Sequence, residues 1–288
     1  MNQRIERVRA AMQAQGLTQM IVSDPKSVWY LTGVEVEPYE RLLALYLPVC
    51  GEPVLFLNRL FNVPNPPCKA VWHDDAQDPV AQIAGVVDAA ATLGIDKEWT
   101  AKFLIPLMQH CPGMRVVLAS DCVDDCRACK DEAEQTLMRE ASRINDEVNA
   151  AVKQYVRVGM TEKQVARFVD EQYLAHGCEG NSFTTIVSFG ANAADPHHEP
   201  DNTVLQPGQC VLVDMGCRKN RYCSDMTRTW FAGTPTEKQA AVHELVHRAN
   251  LAAEALVKPG VRLCDVDAAA RQVIAQAGYG AYFNHRLG

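Results

Sequence analysis

The stretch Cys210–Phe231, CVLVDMGCRKNRYCSDMTRTWF, decides how this chain is read. Val211–Gly216 and Ser224–Phe231 have the make-up of two short strands, joined through the polar run Arg218–Tyr222. With a two-residue turn at Lys219–Asn220, Asp214 and Asp225 fall directly opposite each other. Cross-strand partners hold their Cβ atoms about 4.5–5.5 Å apart, and like charges placed there repel. Such a pair is tolerated when the carboxylates share a proton or when cations sit between them. Ligands that are all oxygen favour a hard divalent ion, in pairs where the ligands bridge. The plain alternative is an exposed polar hairpin, but the run Val211–Val213 is too apolar for a wholly solvated strand.

Upstream of the hairpin, Leu137, Ala141, Ile144, Val148, Val152 and Tyr155 recur at spacings of three and four, predicting a long amphipathic helix that Gly159 ends. Thr161 with Gln164 makes a capping-box pattern for a second helix, which ends at Gly177. A weak internal repeat follows. Val156–Met160 and the helix to Gly177 match Val257–Val261 and a helix to Gly278, an offset of about a hundred residues at both ends. A duplicated unit related by a pseudo-two-fold would place a site between its halves. FTTIVSFG (183–190) reads as a strand, and the loop after it carries Asp195-Pro196-His197-His198, where histidines could ligate metal, donate to an oxyanion or only decorate the surface.

The first part of the chain alternates helix and strand. A helix through Ile5, Val8 and Met12 ends at Gly16, and strands are expected at 20–23, 42–47, 54–57, 71–73, 95–96 and 115–119. Asp78 caps a helix with Pro79 at its first position, expected to run to Gly94, and a further helix covers 101–110. This predicts an α/β domain over 1–125, with a second domain over 126–288. The charged segment 121–131 is read as the connector.

At 288 residues the chain is long enough for two cores, and its net charge of −7 without long runs of one sign argues against a nucleic-acid partner. The N-terminus is a charged amphipathic helix, neither signal peptide nor anchor, and no run is apolar enough to span a membrane. Eleven scattered cysteines point to a reducing compartment, the cytoplasm.

Two motifs compete with the hairpin. His243-Glu244-Leu245-Val246-His247 is a literal H-E-x-x-H, the zinc-peptidase signature, but the apolar face of its helix excludes Glu244 and no clear third ligand follows. Cys122, Cys126 and Cys129 match an iron–sulfur spacing, but Asp121, Asp124 and Asp125 among them disfavour an anionic cluster. No nucleophile elbow and no phosphate-cradling glycine loop is present.

The stretches FTTIVSFGANAADPHHEP, VLVDMG, SDMTRTWFAG and GYGAYFNHRLG resemble the pita-bread metallopeptidases, the family of methionine aminopeptidase, aminopeptidase P, prolidase and creatinase. SDPKSVWYLTG and LLALYLPVCGEPVLFL resemble that family's creatinase-type N-terminal domain, which singles out the proline-specific two-domain branch. The resemblance implies an α/β N-terminal domain followed by an α+β pita-bread domain with a pseudo-two-fold repeat, incomplete at its C-terminal end. It implies a metal-dependent exopeptidase hydrolysing Xaa-Pro bonds, through a hydroxide bridging two divalent ions. Mn²⁺ suits the carboxylates best, with Co²⁺ or Zn²⁺ as alternatives. Asp214 and Asp225 resemble the family's metal-ligating aspartates. His197 resembles the histidine that steadies the scissile carbonyl, and His285 one that lies near the substrate. A proline-containing peptide as substrate and a homodimer are implied as partners. The family's remaining ligands, a histidine and two glutamates, would follow Gly288, so this chain is expected to be truncated, to bind metal weakly and to be largely inactive. A creatinase-like C–N hydrolase acting on a small non-peptide substrate and a non-catalytic binding protein are the other readings.

Overall fold

The computed structural model describes residues 3–287. The chain divides into two units, Met1–Asp131 and Glu132–Gly288. In the first, α1 (Gln3–Ala14) buries Ile5, Val8 and Met12, the face its spacing predicts. After β1 (Gln19–Val22) comes α2 (Pro25–Thr32), which the sequence reading missed. Its signal is the one recognised at Asp78-Pro79: the Asp24 side chain accepts from the Lys26 and Ser27 amides, and Pro25 opens the helix. The chain continues through β2 (Ala44–Pro48), β3 (Val54–Asn58), β4 (Lys69–His73), α3 (Pro79–Ala84), β5 (Leu93–Ile95), α4 (Ala101–His110), β6 (Val116–Leu118) and α5 (Asp121–Ala128).

Helix α3 starts on Asp78 as expected but stops at Ala84, well short of Gly94. The buried Gln19 side chain explains the stop. It accepts from the Asp88 amide (2.9 Å) and donates to the Asp88 carbonyl (2.7 Å), and both groups are thereby taken from a continuing helix. The strands form one six-stranded sheet in the order β4-β3-β2-β1-β5-β6. One core packs Val8, Met12, Leu31, Leu45 and Leu57 with Cys122, Val123 and Cys126 of α5. Another gathers Phe56, Val80, Ile83, Ile95 and Leu107. The segment 121–131 is therefore no loose connector. The expected division at 125/126 falls inside α5, whose apolar face belongs to the first unit's core, and the units part after Asp131 instead.

The second unit opens with α6 (Glu132–Tyr155) and α7 (Glu162–Ala175). Thr161 and Gln164 exchange both capping-box hydrogen bonds, as their spacing predicts. After β7 (Gly180–Asn181) and β8 (Ile186–Phe189) come β9 (Cys210–Met215), β10 (Cys217–Lys219), β11 (Tyr222–Cys223) and β12 (Met226–Phe231). Two three-stranded sheets result, β12-β9-β8 and β11-β10-β7. Ala141, Ile144, Val148 and Val152 of α6 meet Val165, Val169 and Tyr173 of α7 over Val187, Val211, Val213 and Met215 of the sheet. At roughly 1.5–3 kcal/mol for each large aliphatic side chain fully buried, this is the dominant cohesion of the unit. Helices α8 (Glu237–Glu254) and α9 (Leu263–Gln276) follow, packed through Leu245, Ala249, Ala253, Ala270 and Ile274.

The internal repeat is visible in the backbone. Gly177 and Cys178 bond back to Leu174 and Tyr173 after α7, and Gly278 and Tyr279 bond back to Ala275 and Ile274 after α9. Gly177 and Gly278 both take left-handed φ, 66° and 84°, the conformation that lets each helix end in this way.

A buried polar chain ties α6 and α7 to β9. The fully buried Asn145 accepts from the Tyr173 hydroxyl and donates to the Met215 carbonyl at 3.1 Å. Asn145→Ala leaves both groups unpaired in the interior, at about 1–3 kcal/mol each, so denaturant unfolding of the second unit is expected to show a loss of about 2–5 kcal/mol. A loss below about 1 kcal/mol would mean that the pair is dispensable.

In the first unit, His73 is 2% exposed and neither ring nitrogen finds a partner. Burial pushes its imidazole below the ordinary value of 6.5, against the pull of Asp75 and Asp74. The unfolded chain then takes a proton that the folded chain declines, so stability rises with pH and is lost as pH falls below about 6.5. His73→Phe is expected to reduce the loss of stability between about pH 7.5 and pH 5.5, measured by urea unfolding. Equal losses in variant and wild type would contradict this account.

Candidate metal centre

Alternation along β9 sends Val211, Val213 and Met215 into the core and leaves Leu212 and Asp214 on the opposite face. β12 pairs antiparallel to β9, and β10 and β11 continue the ladder to a two-residue turn. That turn lies at Asn220–Arg221, with φ of 48° and 69°, not at Lys219–Asn220 as expected. A turn with left-handed backbone at both central residues matches the right-handed twist of the strands, and Asn accepts that conformation readily. The consequence is a register shift. Asp214 faces Thr227, and Asp225 stands two residues before Thr227, just ahead of β12. The two aspartates are diagonal rather than directly opposite, with Cα atoms about 7–8 Å apart in such an arrangement.

Gly216, next to Asp214, is required by close approach. A Cβ there would lie 2.0 Å from the Ser224 carbonyl oxygen and 2.3 Å from the Ser182 hydroxyl. The Ser182 hydroxyl itself donates to that carbonyl at 2.8 Å, holding the bend at which Asp225 is presented.

The Asp214 Oδ1 atom is buried and has no hydrogen-bond partner. Burial raises the pKa of this carboxyl, the Thr227 hydroxyl beside it pulls it back down, and the neighbouring Asp225 charge raises it further. Asp225 is exposed. A half-buried carboxylate with an orphaned oxygen and a second carboxylate on its flank lacks positive charge, and a divalent cation supplies what both groups need. The residues present fit a metal.

His197 is exposed on the loop after β8, where its amide donates to Asp195 Oδ1 at 2.9 Å. His198, left without a role on sequence grounds, reaches a different carboxylate. Glu162, the first residue of α7, is fully buried, and its Oε2 lies 2.7 Å from His198 Nε2. Glu162, His198 and Asp201 each bring one ligand atom within 4.8 Å of the others, a grouping that could hold an ion. Both oxygens of Glu162 are already filled, however. Oε1 accepts from the Phe189 amide (2.7 Å) and the Asn192 side chain (3.0 Å), and Oε2 from His198 and the Asp201 amide (3.1 Å). The signal that could have exposed Glu162 is its place beside Thr161 at the start of α7, where a carboxylate favours the helix dipole.

The other candidates lie elsewhere. His285 sits on the segment after α9, with its ring 6.2 Å from that of Phe283 and its carbonyl accepting from Arg271. Its Nδ1 lies 2.6 Å from the Arg286 carbonyl. His243 points back to the Thr229 carbonyl (3.3 Å), while Glu244 and His247 are solvent-facing and 3.9 Å apart. Of the three spaced cysteines, Cys122 and Cys126 are core residues of the first unit, and Cys129 is exposed.

Residues 4–129 match the model of the creatinase/prolidase N-terminal domain, and residues 136–288 that of metallopeptidase family M24. The fold of the chain superposes on a dipeptidase from Mycobacterium ulcerans with a TM-score of 0.91 at 34% identity, covering 98% of this chain and 78% of that one. A prolidase from Thermococcus sibiricus gives 0.92 at 28% identity, covering 99% and 80%. An uncharacterized peptidase of Staphylococcus epidermidis is 31% identical over 99% of this chain and 82% of its own length. With a creatinase-type unit ahead of a pita-bread unit that carries its aspartate pair on the face away from the core, the chain belongs to metallopeptidase family M24.

Proposed function

We propose that this metallopeptidase is an exopeptidase hydrolysing Xaa-Pro bonds, with Asp214 and Asp225 as metal ligands, His197 toward the substrate and His285 near it. The observation that carries the reading is the orphaned Asp214 Oδ1 beside Asp225. The likeness to a prolidase and to a dipeptidase supports proline-containing dipeptides as the substrate class. Mn²⁺ suits the hard carboxylate donors, with Co²⁺ or Zn²⁺ next.

The metal centre, dinuclear in this family, would supply a nucleophilic water at neutral pH and polarise the scissile carbonyl. Asp214 and Asp225 hold positive charge on the open face of the sheet. His197 donates a hydrogen bond to the oxygen on which negative charge develops. Water adds to the carbonyl carbon, the C–N bond breaks, and the proline nitrogen, which carries no N–H within the peptide, takes a proton and leaves as an amine. A creatinase-like reaction on a small non-peptide substrate would leave the aspartate pair without a task. Eleven scattered cysteines support a cytoplasmic setting, and a homodimer follows from the resemblance alone.

The test combines Mn²⁺ titration with proline release from Xaa-Pro dipeptides, against Xaa-Leu controls. Asp225→Asn is expected to weaken both signals by about tenfold or more, and Glu244→Gln to leave them nearly unchanged. The reverse result would favour the H-E-x-x-H helix, and faster cleavage of Xaa-Leu would overturn the proline assignment.

A further inference from the structure

We propose that Glu162 is the positioning residue for His197, a buried carboxylate around which the whole loop carrying that histidine is built. The inference rests on His197 facing the substrate, as read above. The loop between β8 and the bridge at Thr161–Val204 contains no strand. Its only helical segment is the short 3-10 turn Gly190–Ala194. A segment of this kind is ordinarily mobile, because its backbone amides have no ladder to join.

Here one side chain takes the place of a ladder. Glu162 Oε1 receives the amide of Phe189, where the loop begins, and Oε2 receives the amide of Asp201, near its end. Between these anchors the Asn192 side chain donates to Oε1, and His198 Nε2 meets Oε2. Asn192 also reaches the Thr203 hydroxyl at 3.2 Å, so the loop's two limbs are tied across the carboxylate. The backbone of α7 closes the same limb, with the Glu162 amide bonded to the Thr203 carbonyl and the Lys163 amide to the Asp201 carbonyl.

Glu162 is 0% exposed, and its burial is offset by the donors that fill both of its oxygens and by its place at a helix N-terminus. His198 is the adjacent residue to His197, so its ring, docked on Glu162, fixes the backbone from which the His197 ring projects. The Asp195 cap on the His197 amide completes the constraint from the other side. The His-His pair thus divides its work: His198 faces inward as the anchor, and His197 faces outward, free to meet a substrate.

The metal-like grouping of Glu162, His198 and Asp201 is accounted for by the same arrangement. Two of the donors to Glu162 are backbone amides, which an incoming cation would leave unpaired in the interior.

The experiment is Glu162→Gln in the full 288-residue chain. Glutamine keeps the size of the side chain but offers one acceptor oxygen where the carboxylate offers two. Amide hydrogen exchange over residues 189–201 is expected to accelerate by about tenfold or more, while β9 and β12 keep their protection. The imidazole ¹⁵N resonance of His197 is expected to shift or broaden. In a proline-release assay kcat is expected to fall by about 10²-fold, with KM changed little, as misplacement of a catalytic group by about 1 Å would do.

Unchanged exchange in the loop, or loosening spread evenly over the second unit, would overturn the proposal. So would an unaltered His197 signal. Should Glu162→Gln fail to fold, His198→Gln removes a single donor, and the same exchange and His197 readouts decide. Exchange and resonance do not depend on turnover. If wild type cleaves Xaa-Leu faster than Xaa-Pro, the function reading fails while the positioning role of Glu162 is still judged.

Discussion

The pairing of β9 with β12 is the constraint on which the second unit depends. Side chains alternate across a strand, so the choice that buries Val211, Val213 and Met215 also decides that Asp214 faces away from the core. A slip of one residue would exchange the two sets and drive a carboxylate among Val148, Val165 and Phe189. Both the hydrophobic gain and the cost of an unpaired buried charge forbid that slip. The turn at Asn220–Arg221 and the glycine at 216 both hold the register from the hairpin end of the pairing.

Two carboxylates in this unit illustrate opposite solutions to burial. Glu162 lies deeper, yet each of its oxygens is met by donors, and it behaves as a structural post. Asp214 is less buried but has an oxygen that nothing among the described residues satisfies. Native proteins rarely leave such an atom, and beside a second carboxylate a cation is the partner that would satisfy it. The contrast separates anchor from site more sharply than the residue types do, since both are ordinary acids next to polar neighbours.

Much of this molecule was legible in one dimension. The long helix through Ala141, Ile144, Val148 and Val152, the capping box at Thr161 and Gln164, the Asp78-Pro79 start of α3 and the paired glycines of the repeat are all local signals. Each is written within a few residues of the structure it specifies. The face that carries Asp214 was legible for the same reason, because Asp214 and the valines around it alternate along one strand. What escaped the reading depended on partners far off in sequence. Helix α3 ends early because Gln19 captures Asp88, and α5 joins the first unit because Cys122 and Cys126 find a core shared with Val8 and Met12.

The sequence by itself determined the fold class, the repeat, the family and the identity of Asp214 and Asp225 as the acidic pair, since periodicity, caps and motif spacing are local properties. Tertiary structure decided how the pair meets, diagonally through Thr227, and which histidine is bound inward. The register is set by a turn conformation that a strand pattern does not encode. The roles of His197 and His198 part at a carboxylate on another element, and no spacing rule links that residue to either of them.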